Sequence, residues 1–352
     1  MSKKTIYPEE FMPSEETKDN LMKIRGNGTF SVCFFNNKGG VGKTTLAANL
    51  ASELSLNHSA RVLVVDADPQ CNLTQYCLSD DEFLDTYSSG EAVDTIYDII
   101  HPISQGKGYL NELPTRKAKN FGFDIIVGDP RIALKEDLLA QDWRDAKSGG
   151  VRGLKTTFVF EDLLSKTKDY DLVFFDVGPS LGAINRAILI AADGFVVPMA
   201  IDIFSLWALR NIGTALRIWN KELKMGLSMA EDPKEFIDYK QSSLKFIGYV
   251  TQQHKERSKE GSVRIVEAYE AINRQLPTAV KENLYDLYDK NKIQAHLGDI
   301  KHLNSLAPKS QTLHSPMITL RAVGSYTTQR KQAREIFSSI SARFLENIAK
   351  SL

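Results

Sequence analysis

The stretch Phe30-Ser31-Val32-Cys33-Phe34-Phe35-Asn36-Asn37-Lys38-Gly39-Gly40-Val41-Gly42-Lys43-Thr44-Thr45-Leu46 decides the fold. It opens with a short apolar run of strand-forming residues, turns through a glycine-rich segment at 38–42, and continues at 44–54 with helical composition. Glycines have no Cβ, so successive backbone N–H groups can close around phosphate oxygens. The helix that follows adds donors left unpaired at its N-terminus and the positive end of its dipole. Lys43 is spaced to reach β- and γ-phosphates, and the Thr44 hydroxyl can ligate Mg²⁺. An ordinary glycine turn before a helix explains the glycines, but not Gly-Lys-Thr behind a strand with acids downstream.

Working outward, apolar runs recur at 61–65, 123–127, 172–175, 194–197 and 246–250, with helical stretches such as 181–192 and 204–219 between most of them. Continuous apolar strands alternating with helices predict an α/β fold, a mostly parallel twisted sheet flanked by helices on both faces. Residues 1–28 are polar and read as an N-terminal extension with a disordered part. Residues 29–352 read as a single domain, with polar, turn-rich insertions near 79–108, 142–155 and 225–243. A final helix over 328–349 carries Ile336, Ile340, Phe344 and Ile348 at four-residue spacing, a stripe expected to dock on the body.

The bulk properties fit a soluble, intracellular globular protein. The 352 residues are 42% hydrophobic and 25% charged, and 44 basic side chains balance 44 acidic ones, so any affinity for nucleic acid or anionic lipid must come from a local patch. The three cysteines (Cys33, Cys71, Cys77) contain no Cys-x-x-Cys pair and read as free thiols. No signal peptide is visible at the start, and the apolar run 187–200 is broken by Asp193 and Pro198.

Two acidic strand ends accompany the loop. Val64-Val65-Asp66-Ala67-Asp68-Pro69-Gln70 closes the second strand, and Leu172-Val173-Phe174-Phe175-Asp176 is an apolar strand ending in a carboxylate. Such groups beside a phosphate loop can hold the waters of Mg²⁺ or orient an attacking water. Val177-Gly178-Pro179-Ser180-Leu181-Gly182 follows, and its glycine permits movement.

The pattern Lys38-Gly39-Gly40-Val41-Gly42-Lys43-Thr44-Thr45, with Asn37 at the usual first glycine and a second lysine after it, resembles the deviant Walker ATPases of the ParA/MinD family. Asp66–Thr74 and 176–187 continue the likeness, with Cys71 where a small residue is usual and Gly178 as in a ParA-like subgroup. The resemblance implies ATP and Mg²⁺ as cofactors, with Lys38, Gly39, Gly40, Val41, Gly42, Lys43, Thr44 and Thr45 around the phosphates. It implies metal-side roles for Thr44, Asp66 and Asp176, and catalytic roles for Lys38, Lys43 and Asp68, with Asp68 positioning water. Lys38 would reach across an ATP-dependent homodimer to the partner's phosphates. Gln252 or Gln253 is the candidate adenine contact.

What the resemblance implies for biology is DNA partition or cargo positioning, with nonspecific DNA and a ParB-like or cargo adaptor protein as partners, and a cytoplasmic, nucleoid-associated location. Candidate DNA contacts are Arg321, Arg330, Lys331 and Arg334, with Lys255, Arg257 and Arg264 as a second cluster. A MinD-like membrane role is an alternative, disfavoured because residues 336–352 carry few cations. A nucleotide-controlled scaffold in a plasmid, phage or defence system is another. An iron–sulfur ATPase is excluded because no cysteine lies near switch II.

Overall fold

The computed structural model describes residues 12–88, 94–236, 244–252, 262–301, 303, 305–321 and 325–352. Their elements run α1 (Glu15–Asn27), β1 (Phe30–Phe34), α2 (Lys43–Leu56), β2 (Val62–Ala67), α3 (Asn72–Cys77), α4 (Asp80–Tyr87), α5 (Ile96–Ser104), β3 (Arg116–Lys117) and β4 (Asp124–Ile126). Then come α6 (Glu136–Lys147), α7 (Val151–Thr157), α8 (Val159–Ser165), β5 (Leu172–Val177), α9 (Ala183–Ala191), β6 (Gly194–Ala200) and α10 (Ile203–Met229). The last are β7 (Lys245–Gln252), α11 (Ser262–Asn283), β8 (His296–Ile300), α12 (Leu306–Thr312) and α13 (Ser325–Ser351).

Successive side chains of a strand point to opposite faces, so a strand covered on both sides must be apolar throughout. That is why β1, β2, β5 and β6 are buried at every residue. Cys33, Val65 and Phe175 enter one core with Ile100, Ile188 and Leu209 from helices on that face. Phe34, Val64 and Phe174 enter the opposite core with Leu46 of α2 and Phe344 of α13. The Phe174 ring is met edge-on by Phe34 at 4.9 Å and by Phe344 at 5.6 Å.

One sheet of order β3-β4-β2-β5-β1-β6-β7-β8 results, antiparallel at the β3–β4 edge and parallel elsewhere. This is the expected mostly parallel sheet with helices on both faces. From β1 the chain moves through β2 to β4 toward one edge, returns to β5, and then builds β6, β7 and β8 toward the other. Reversal of direction beside β1 leaves a crevice outside the carboxyl ends of the strands, where open α/β sheets bind ligands.

Three stretches differ from the sequence expectation. Within the polar extension, residues 15–27 form α1, started by Ser14, whose hydroxyl accepts from the Thr17 N–H (3.2 Å). The helix buries Thr17, Leu21 and Ile24, while Arg25 donates to Asp171 (3.0 Å) and to the Ser59 carbonyl (2.7 Å). Only one narrow face is apolar, so composition alone reads as disorder. Residues 142–155, expected as a polar, turn-rich insertion, join α6 to α7 and bury Asp142, Trp143, Ala146 and Leu154. Close helix contact explains their glycines, since a Cβ on Gly153 would fall 2.2 Å from the Asp142 carbonyl oxygen. The segment 79–108 carries α4 and α5, each with a capping box, and α5 buries four isoleucines. The stripe on α13 docks as expected, with Ile340, Phe344 and Ile348 buried. No helix of the described residues is long and apolar enough to cross a membrane.

Candidate nucleotide site

The loop between β1 and α2 lies at the crevice. Gly40 (φ 71°) and Gly42 (φ 74°) occupy the left-handed region that favours glycine. Gly42 caps α2 with no side-chain hydrogen bond, so the first-turn N–H groups face the crevice unclaimed. A Cβ on Gly42 would fall 1.9 Å from the amide nitrogen of Gln252. Gln252 therefore packs against the phosphate loop. Gln253 lies outside the described residues.

Lys43 is buried, with its ammonium donating to the Lys38 carbonyl (3.4 Å). Burial lowers its pKa, and the carboxylates of Asp176 and Asp68 oppose that shift. Asp68 lines the crevice and accepts from the Gln70 N–H (3.0 Å). A Cβ on Gly178 would stand 3.3 Å from its Oδ1, so a glycine in the β5–α9 loop lets that loop lie against Asp68.

The two strand-end carboxylates have different surroundings. Asp66 accepts from the N–H (2.8 Å) and hydroxyl (2.7 Å) of Thr74 and from the Asp68 N–H (3.3 Å). It organises the β2–α3 turn, and burial pushes its carboxyl up to about 6. Asp176 is also fully buried, yet neither of its oxygens has a hydrogen-bond partner. Burial and then the charge of Asp66 push it up to about 8, opposed by the nearby Thr44 hydroxyl and Lys43. A buried carboxylate without partners beside a threonine hydroxyl fits a divalent cation, which would supply the missing counter-charge. Mg²⁺ is usually held by one or two carboxylates together with substrate phosphates and water, a set that Asp176 and the Thr44 hydroxyl could begin.

Lys38 reaches none of these groups. Its ammonium pairs with Asp202, the N-cap of α10, and lies 6.0 Å over the Phe204 ring. Phe204 stands 69% exposed beneath it, and Trp207, three residues further along α10, is 57% exposed. Asp202 went unnoticed in the sequence, although Asp202-Ile203-Phe204-Ser205 is a capping signature, and its carboxylate accepts from the Ser205 N–H (3.0 Å). Two further side chains hold the β5–α9 loop: Asn185, inside the stretch that carries the likeness, and Glu136, which the sequence did not single out. Asn185 donates to the carbonyls of Gly178 (2.7 Å) and Ser180 (2.8 Å). Glu136 accepts from the Ala183 and Ile184 N–H groups at the start of α9.

Cys71 heads α3 in the left-handed region (φ 52°), and burial pushes its thiol up, as suits a small residue in a tight turn. Of the basic candidates, Arg334 is buried with its guanidinium on the Ile318 carbonyl (2.8 Å), so its expected DNA contact is corrected to a structural role. Arg330 donates to the Leu320 carbonyl (3.2 Å). Arg321 and Lys331 are exposed. Lys255, Arg257 and the Arg264 side chain lie outside what is described.

A glycine loop feeding a helix N-terminus at the reversal point of a parallel sheet, with two lysines and strand-end carboxylates, defines a P-loop nucleotide-binding class. The AAA domain family model matches residues 30–229, and the chain belongs to that family as a ParA-like P-loop ATPase. The chain is 31% identical over 192 residues to a probable plasmid-partitioning protein ParA of Thermus thermophilus, covering 54% of this chain and 51% of that one. It is 29% identical to the chromosome partitioning protein ParA of Myxococcus xanthus, covering 56% and 62%. The chain thus spans between about half and two thirds of these relatives. A crystal structure of a Corynebacterium diphtheriae protein matches with TM-score 0.64 at 27% identity, covering 81% of this chain and 97% of that one. The ATP complex of Cyanothece McdA shares the fold, with TM-score 0.56 at 17% identity over 88% and 96%.

Proposed function

We propose that the chain is an ATP-dependent switch: it binds ATP with Mg²⁺, dimerises, and hydrolyses ATP to ADP and phosphate to drive DNA partition or cargo positioning. The observation that carries this reading is the convergence of Lys43, Thr44 and Asp68 on one crevice, with the partnerless Asp176 buried close to Thr44 and Lys43, and Lys38 on the same loop. The names of the relatives in Thermus and Myxococcus support the partition role.

In this account the N–H groups of Gly39–Thr45 hold the phosphates. Lys43 leaves the Lys38 carbonyl for the β- and γ-phosphates. Thr44 and Asp176 would hold Mg²⁺, with the charge of Asp66 behind them, and the ion supplies neutralisation of phosphate charge. Asp68 accepts a hydrogen bond from the attacking water and aligns it. Lys38 exchanges Asp202 for the γ-phosphate in a second copy of the chain, adding a cation where negative charge develops. The exposed Phe204 beside Lys38, with Trp207 three residues further along α10, provides apolar surface that a second subunit can cover. Arg321, Arg330 and Lys331 are the remaining described candidates for nonspecific DNA, and a ParB-like or cargo adaptor protein would stimulate turnover.

The test is retention of random-sequence DNA across a salt series, with ATP, with ADP and without nucleotide, for the native chain and Lys43→Ala. The account expects ATP-dependent binding that weakens linearly in log–log form with salt and is lost in Lys43→Ala. If no DNA is retained under any nucleotide condition while ATP is hydrolysed, the partition reading is dropped and the nucleotide-controlled scaffold replaces it.

A further inference from the structure

One wall of the crevice is the β5–α9 loop, where Pro179 stands among the lining residues. A Cβ on Gly39 would lie 3.9 Å from the Pro179 ring, and one on Gly178 would lie 3.3 Å from the Asp68 carboxylate. The loop thus touches both the phosphate loop and the carboxylate given the attacking water in the reading above. It is held from behind. Asn185 donates to the Gly178 and Ser180 carbonyls, and Glu136 of α6 accepts from the Ala183 and Ile184 N–H groups.

Glu136 does for α9 what a cap within the helix would otherwise do. Gly182, at the N-cap, has no side chain to offer, and the first turn of α9 carries no acid. A carboxylate at that end meets the positive pole of the helix. A Cβ on Gly182 would overlap the Glu136 carboxylate, so the glycine is what admits it. Glu136 comes from 47 residues away and can fix the loop only if α6 is itself fixed. Two glycines bring α6 into close contact with its neighbours: a Cβ on Gly226 of α10 would overlap the Ala146 carbonyl, and one on Gly153 of α7 the Asp142 carbonyl. Trp143 and Lys147 of α6 each donate to Glu222 of α10 (3.1 Å). From α9, Arg186 lays its guanidinium over the Trp143 ring at 4.5 Å. Burial lowers the Arg186 pKa to about 10, opposed by Glu136 and Glu222, so the cation persists at neutral pH.

We propose that Glu136 is a positioning residue for hydrolysis: by tying the first turn of α9 to the fixed helix α6, it keeps Gly178 and Pro179 against Asp68 and the phosphate loop. The inference rests on the nucleotide reading above and adds the residue that sets one wall of that site. Phosphate affinity belongs to the N–H groups and lysine of the phosphate loop, so loss of Glu136 acts on the hydrolytic step and spares binding. A misplacement of about 1 Å at a reacting centre can cost on the order of a hundredfold in rate.

The experiment compares the native full chain with Glu136→Ala and Glu136→Gln in steady-state hydrolysis of Mg-ATP and in amide hydrogen exchange over residues 178–186. Glu136→Ala is expected to speed exchange at Ala183 and Ile184 about tenfold, to lower kcat about tenfold, and to leave KM within about twofold of native. Glu136→Gln keeps an acceptor oxygen but loses the charge, so it should fall between the two, and it carries the test if the alanine variant does not fold. Unchanged exchange overturns the tie itself. Faster exchange with kcat unchanged, or with affinity lost as much as kcat, overturns the positioning role and leaves the nucleotide site standing. If the folded native chain hydrolyses no ATP, the hydrolysis reading fails, and this proposal with it.

Discussion

At the residue scale, Lys38 and Asp202 are each about one-third exposed, and ion pairs of that kind contribute only about 0.2–1 kcal/mol. The tie is therefore weak enough to break when a second subunit presents a phosphate. Asp202→Asn keeps an N-cap for α10 and removes the competing charge, so dimerisation in Mg-ATP should move to protein concentrations up to about fivefold lower. Concentration-dependent sedimentation checks this, and an unchanged or weaker dimer speaks against release of Lys38 as the step. Gly42→Ala forces a Cβ into the Gln252 amide at a left-handed position. It should abolish nucleotide binding and lower stability by about 1–3 kcal/mol, read by titration and urea denaturation. That Lys43, Thr44 and Asp68 share one crevice was legible because their placement is tied to local spacing. The Asp202 partnership was not, because 164 residues separate it from Lys38.

At the scale of elements, α1 is held to the sheet by Arg25 on the buried Asp171, which also accepts from Arg61. Burial works to raise the Asp171 carboxyl, but the bonds from Arg61 and Arg25 outweigh it and hold the carboxyl below its ordinary value. A folded pKa below the unfolded one gives stability that is present above the unfolded value, near 4, and lost as pH falls through the folded one. Arg25→Ala should therefore cost about 1–3 kcal/mol at pH 7, and the difference should shrink below about pH 4. Urea denaturation at both pH values measures it, and an equal loss at both would contradict the clamp. The same helix shows why parts of the architecture were hidden. A segment that buries three side chains in thirteen carries too little apolar signal to stand out from a polar tail. The packing within residues 142–155 was hidden for the related reason that glycines needed for close packing look like glycines in a loop. The strands, buried on both faces, were plain.

At the scale of the whole molecule, the sheet reversal beside β1 brings the ends of β1, β2, β5 and β6 to one crevice, and with them the loop, Asp68, Asp176 and Asp202. Both lysines sit on that single loop, but one faces the crevice and the other its rim. Within one chain, Lys38 pairs with the Asp202 carboxylate, and in the proposed dimer the γ-phosphate held by a second chain takes the place of that partner. The most direct test is the sedimentation mass of Asp68→Ala, expected to bind without turning over, under saturating Mg-ATP, with and without Lys38→Ala. The account predicts a dimer for Asp68→Ala alone and a monomer once Lys38 is also replaced. A monomer in both, or a dimer indifferent to Lys38, would contradict it.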